Sequence, residues 1–291
     1  MVSHGILDYC LASDIINSSN AYSTLETIIS TLECMRMNST TVVYANEFLF
    51  QECSGLVFAN WLYDYNFQPE LRDIKKELSI QLNKATQIDE ESYLAYLQAI
   101  DKLDVSGSLL MSICCKETNV LYVDTPSRYW KAKQWYLARY VKKNEFFSEA
   151  TSCFPNLYFH SSVPSSFNTL NGEFITERPI IVKHLQALDA FRKRFTELSN
   201  AGVGYREMCA EFEGTHAIEC SPQASRSATL NLQFDFPNTQ TATTETLCCE
   251  LHTKLKWQGM DREHQDRIYF HPGKDGIVDG KVLIVHIGTH L

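Results

Sequence analysis

The sequence is short of most features that would name a chemistry. No apolar run approaches the ~20 residues a membrane helix needs, and the opening MVSHGILDYC has no basic segment leading into a signal-peptide core. Neither G-x-x-x-x-G-K-[ST] nor G-x-G-x-x-G occurs, so no nucleotide cofactor is expected. G-x-S-x-G is missing too, which removes the hydrolase elbow. The lack of any C-x-x-C excludes a zinc ribbon and a thioredoxin-like motif. Positive charge is scarce. With 26 Lys+Arg against 35 Asp+Glu, the net charge of −9 argues against a chain that coats nucleic acid non-specifically. Only 12 Gly and 8 Pro in 291 residues exclude collagen-like or low-complexity character, and no internal repeat is found. The expectation is a cytoplasmic protein with no membrane contact, no metal and no cofactor.

What is present begins with ten cysteines, at 10, 34, 53, 114, 115, 153, 209, 220, 248 and 249. They are spread through apolar stretches, and the adjacent pairs Cys114-Cys115 and Cys248-Cys249 would point to opposite faces of a strand. That pattern reads as reduced, buried small hydrophobes rather than a disulfide framework.

The hydrophobic period changes along the chain. Ile6–Leu32 has broadly helical spacing, TTVVYANEFLF (40–50) starts as a strand, and Pro69 opens a helix to about Lys84. Asp89 is placed to cap a helix running to Leu103, VLYVD (120–124) reads as a short buried strand, and Ser127 caps a helix to about Lys142. Periodicity lapses over 145–155. Then come the strand NLYFH, a helix Pro179–Ser199, a loop at Gly202 and Gly204, and β segments to the end: AIECS, ATLNLQFDF, CCELHTKLKW, RIYFH and KVLIVHIGTHL. This predicts a helix-rich α/β domain over 1–148 and an α+β domain over 154–291, in which an antiparallel sheet is faced by a helical pair.

Strand residues two apart share a face, so each segment sorts by parity. One face of CCELHTKL carries Glu250, His252 and Lys254, with Cys249, Leu251, Thr253 and Leu255 opposite. In RIYFH, Arg267, Tyr269 and His271 share a face. In the last strand His286 and His290 share one with Ile284, leaving Val285 and Ile287 opposite. If the strands are neighbours these polar groups converge. A solvated face without function is the plain alternative. Repeated His with Tyr and Arg is less expected there, and these residue types move protons and hold phosphate. His286 and His290 would lie ~13 Å apart along an extended strand, too far to share a metal ion.

The order of elements from NLYFH through HLQALDAF to QDRIYF and KVLIVHIGTHL resembles the RelE/ParE-type toxin fold over about residues 154–291. The resemblance implies a toxin- or phage-defence-like effector, and of the RelE kind a metal-independent endoribonuclease. The family's strand arginine falls on Arg267, its C-terminal catalytic residue on His290 or else His286, and its preceding-strand basic residue on Lys254. His252 and Tyr269 complete the candidate site on parity. The implied partners are RNA or the ribosome, or an antitoxin-like protein. A second reading, favoured by the net negative charge, is a non-catalytic module that grips a protein partner on the same scaffold. An acidic metal site of the PIN-nuclease kind, from Asp8, Glu47, Glu52 and Asp64, is set aside because no Asp sits at the end of a clear first strand.

Overall fold

The computed structural model describes residues 2–103, 107–113, 119–223, 232–256 and 265–291. Cys114, Cys115, Trp257 and the start of the ATLNLQFDF segment lie outside the described residues. The chain divides into two units, Met1–Tyr136 and Leu137–Leu291. The division precedes the 145–155 stretch where the hydrophobic period lapses, and Arg178 shows why. Its buried guanidinium donates to the carbonyls of Ala138, Arg139 and Val141, and Phe146 stacks on Phe167, so residues from 138 onward are tied into the second unit.

The first unit is built on a parallel sheet. Its elements are β1 (His4–Leu7), α1 (Cys10–Ile16), α2 (Ala21–Met37), β2 (Thr41–Ala45), the short pair β3 (Glu52–Cys53) and β4 (Leu56–Val57), and α3 (Phe58–Tyr63). There follow α4 (Arg72–Asn83), β5 (Thr86–Ile88), α5 (Glu90–Asp101), β6 (Ser108–Met111), β7 (Tyr122–Val123) and α6 (Pro126–Arg139). The sheet order is β5-β2-β1-β6-β7, all parallel, with β1 at the point where the winding reverses. Ile6, Leu7, Val43, Leu109 and Leu110 are buried, as expected of strands in parallel sheets, which are covered on both faces. Helix α5 starts where the sequence places it: Asp89 accepts the Ser92 N–H at 2.7 Å.

The second unit is α+β. It runs α7 (Phe146–Cys153), β8 (Leu157–Phe159), α8 (Val163–Ser166), α9 (Phe174–Asn200), α10 (Tyr205–His216), β9 (Cys220–Pro222), β10 (Gln233–Pro237) and β11 (Thr244–Cys248). It closes with β12 (Leu251–Lys254), β13 (Arg267–His271) and β14 (Val282–Gly288). The main sheet has the order β8-β14-β13-β12-β9, antiparallel except where β8 runs parallel to β14.

Three details differ from the sequence reading. Helix α9 begins at Phe174 rather than Pro179, with the proline inside it. Helix α10 occupies residues read as loop, and CCELHTKLKW is two strands that break at Cys249-Glu250.

Helices cover one face of this sheet. His184 of α9 bonds Thr253 (Nδ1 to Oγ1, 2.9 Å), and the Phe195 ring lies 5.7 Å from that of Phe270. The other face is not left to solvent. There the β10–β11 hairpin supplies Phe236 and Leu247, and Leu232 and Cys249 join them, against Tyr269, Leu283 and Val285. Past the end of β8 the chain keeps satisfying the β14 edge. His160 N donates to Ile284 O, Ser162 Oγ to Val285 O, and Ser166 Oγ accepts from Ile287 N.

Candidate functional site

The register sets the site. His252 of β12 stands opposite Tyr269 of β13, and Lys254 opposite Arg267; across the next ladder Tyr269 stands opposite His286 of β14. Directly opposed residues share a face. The rings accordingly form a row, His252 to Tyr269 at 5.0 Å and Tyr269 to His286 at 5.6 Å between centroids, with His290 at 6.5 Å from Tyr269. His252, Lys254, Arg267, Tyr269, His286 and His290 therefore do lie together.

One parity assignment in the last strand changes. A β-bulge between Tyr269 and Phe270 puts Ile284 opposite Phe270, and Val285 packs in the cluster of Tyr269. Cys249 also packs with Tyr269 rather than opposite it, because the chain breaks its strand path at that point.

The row is buried. His252 is 4% exposed, Tyr269 0% and His286 5%. Burial, then Arg267, holds His252 down at about 4, so it is neutral at physiological pH. Its hydrogen bonds fix the tautomer. Nδ1 donates to Glu250 O at 3.4 Å, which leaves Nε2 to accept from Ser221 Oγ at 3.2 Å. His286, also pushed down by burial, donates from Nε2 to Thr289 O at 2.7 Å. The Tyr269 hydroxyl accepts from Leu291 N at 3.4 Å, and burial raises its pKa. His271 lies beyond the row; its Nδ1 accepts from Gly273 N, so Nε2 donates to Tyr205 Oη at 3.4 Å.

The cations divide sharply. Lys254 is committed to Glu219, which also takes Lys256 and is thereby held down at about 2. It is not a free phosphate ligand, and the sequence reading includes neither Glu219 nor Ser221 in the site. Ser221 sits on β9, the edge strand beside β12, and Glu219 directly precedes it; parity within AIECS puts the two on one face but does not pair the strand with β12. Arg267 is the opposite case. It is half-buried, its Nε and Nη1 are shut off from solvent, and neither has a hydrogen-bond partner among the described residues. His290, past the end of β14 and exposed, makes no hydrogen bond from its ring among the described residues.

The acidic residues of the first unit need a correction. Asp8 does follow a first strand directly, since His4–Leu7 is β1 and the central strand of its sheet. The carboxylates are otherwise occupied: Asp8 accepts from Cys10 N, Glu47 from Tyr9 Oη, and Asp64 from Asn66 N and Phe67 N. Among the described residues no three His, Cys, Asp or Glu side chains are grouped closely enough to hold an ion. Nor, among them, is any helix long and apolar enough to cross a membrane. Comparison of the chain with protein-family models, curated proteins and solved structures finds no match.

Proposed function

We propose that the protein is a toxin- or phage-defence-like effector that cleaves RNA without a metal ion, with Arg267 holding the scissile phosphate and His290 moving the proton. The observation that carries this reading is the Arg267 guanidinium, whose buried Nε and Nη1 have no hydrogen-bond partner among the described residues. Two guanidinium N–H groups that have lost water and gained no hydrogen bond favour an oxyanion as partner, and the planar fork matches phosphate.

His290 suits the proton transfer because it is exposed to solvent and near Arg267's neighbour Tyr269. It would take the ribose 2′-OH proton as that oxygen attacks phosphorus and the 5′-oxygen leaves. His252 and His286, neutral and bonded to Ser221 and Thr289, hold Tyr269 between them and act as positioning residues. Lys254 orders β12 against β9 through Glu219. The reading carries with it a cytoplasmic setting, RNA or the ribosome as target, and an antitoxin-like protein as restraint.

A second reading, a binding module for a protein partner on a RelE-like scaffold, is favoured by the packing of Tyr269 beneath the β10–β11 hairpin, with His252 and His286 buried on either side of it. Induced expression separates the two. Growth arrest with cleaved RNA, relieved by Arg267→Gln and by His290→Ala in chains that still fold, is the outcome the effector requires. Unchanged growth with intact RNA, and a stable complex with one partner protein, would replace it with the binding module.

A further inference from the structure

The turn after α10 brings two cysteines face to face. Ala217 ends the helix in the left-handed region, and the chain reverses into β9, so that Cys220 comes back beside Cys209 of the helix. Their sulfurs are 3.2 Å apart, and the Cys220 S–H points at Cys209 Sγ. Both side chains are mostly buried, yet both line a cleft of about 840 Å³ together with Tyr205, Arg206, Glu213 and Glu250. A disulfide needs its sulfurs ~2 Å apart, so closing the pair takes a movement of only about 1 Å.

We propose that Cys209 and Cys220 form an oxidisable dithiol whose disulfide fastens the edge strand β9 to α10. With a peroxide as the oxidant the chemistry balances in two steps. The Cys209 thiolate attacks one peroxide oxygen, the O–O bond breaks, and Cys209 becomes a sulfenic acid as the second oxygen leaves as hydroxide. Cys220 then attacks the Cys209 sulfur, the S–O bond breaks, and the departing oxygen takes the Cys220 proton and leaves as water. Two thiols and one hydrogen peroxide give one disulfide and two waters.

The geometry favours this order. Cys209 Sγ is the atom that already accepts a hydrogen bond, which stabilises a negative charge there, and Cys220 is in place to resolve the sulfenic acid before a second oxidation. The same strand carries Ser221, the partner of His252, and Glu219, the partner of Lys254, directly precedes it. Fixing β9 therefore fixes both of those contacts. The inference rests on the sulfur geometry and does not depend on ribonuclease activity.

The test uses the full chain and hydrogen peroxide. After oxidation, the remaining thiols are alkylated and the digest is examined by mass spectrometry. The expected product is a peptide pair joined through Cys209 and Cys220, lighter by two hydrogens and released by dithiothreitol. The oxidised chain should melt higher by roughly 5 °C, because the link constrains the unfolded chain. Cys209→Ser and Cys220→Ser should each lose both the linked peptide and the rise in Tm. Recovery of both residues as alkylated thiols while Cys10 is oxidised would overturn the proposal, as would a disulfide from either to a different cysteine. The mass readout on the unmodified sequence decides the matter even where a serine variant folds poorly.

Discussion

Replacing Glu177 by Gln should make the chain more stable in neutral and alkaline solution. Glu177 sits in the first turn of α9, only 1% exposed, with its carboxylate facing the Gly172 backbone. Burial first, then the Asp266 carboxylate, pushes its pKa up to about 7, against the pull of the Gly172 N–H and of Lys143. Asp266 is itself fully buried and is held by Asn171 through N at 2.9 Å and Nδ2 at 2.8 Å, so it stays where its charge opposes that of Glu177. The native chain thus keeps the Glu177 proton up to about pH 7, while the unfolded chain releases it near 4.5. Between those values the native state binds more protons, so stability falls as pH rises through that window. The whole effect is about 3 kcal/mol, present below pH 4.5 and lost above pH 7. The amide that replaces the carboxyl has no such proton to lose. Urea unfolding of both chains from pH 4 to 8 isolates the pair, because every titration outside Glu177 and Asp266 is common to both. The difference between E177Q and the parent should grow in favour of the variant by up to about 3 kcal/mol between pH 4.5 and 8. Parallel curves across that range would refute this account of the Glu177–Asp266 pair.

The buried histidines give the opposite slope at lower pH. His252 and His271 are both held at about 4 by burial, so the stability that comes from keeping them neutral is present above pH 6.5 and is lost as pH falls toward 4. The loss should be at most about 3 kcal/mol each, and replacing either by Gln should flatten that part of the unfolding curve. Lys75 is fully buried with Nζ 2.7 Å from Phe67 O and 4.3 Å from the Trp61 ring centroid, so Lys75→Met should cost about 2–3 kcal/mol and speed hydrogen exchange around residues 64–68. A loss below 0.5 kcal/mol, on the order of an ordinary surface change, would contradict that role. At Gly288 an added Cβ would come within 2.2 Å of Thr169 Oγ1 and 2.5 Å of the Ser166 carbonyl, so Gly288→Ala should destabilise by about 1–3 kcal/mol in a thermal melt.

Much of the candidate site is legible because a period of two survives wherever a strand is regular. Parity alone puts Arg267 and Tyr269 on one face and His252 with Lys254 on another strand's face, and the register brings those faces together. Three things leave no such trace. The bulge at Tyr269/Phe270 shifts the parity of β14 without changing its composition. The hairpin that packs on Tyr269 is a tertiary contact, so the middle of a face that reads as polar is in fact buried. The pairing of Lys254 with Glu219 depends on β9 joining the sheet edge, which the two residues of AIECS that enter β9 cannot announce. In the first unit HGIL and SLLM are short runs in a sheet buried on both faces, and such runs look the same as pieces of a buried helix. For that reason Asp8 reads as lacking a strand before it. Helix α10 is hidden because no side chain caps its start at Gly204 and Gly214 lies within it.

The central claim is that Arg267 and His290 cleave RNA without a metal ion. Its most direct test is purified protein incubated with RNA, alone and with ribosomes, in excess EDTA. Attack by a ribose 2′-OH must leave 2′,3′-cyclic phosphate ends, so the account predicts such ends from the parent chain with EDTA present. It also predicts a loss of at least about a hundredfold in rate, on the order of one general acid–base catalyst or oxyanion donor, in Arg267→Gln and in His290→Ala. Intact RNA in both settings, cleavage abolished by EDTA, or undiminished cleavage by Arg267→Gln would each contradict it.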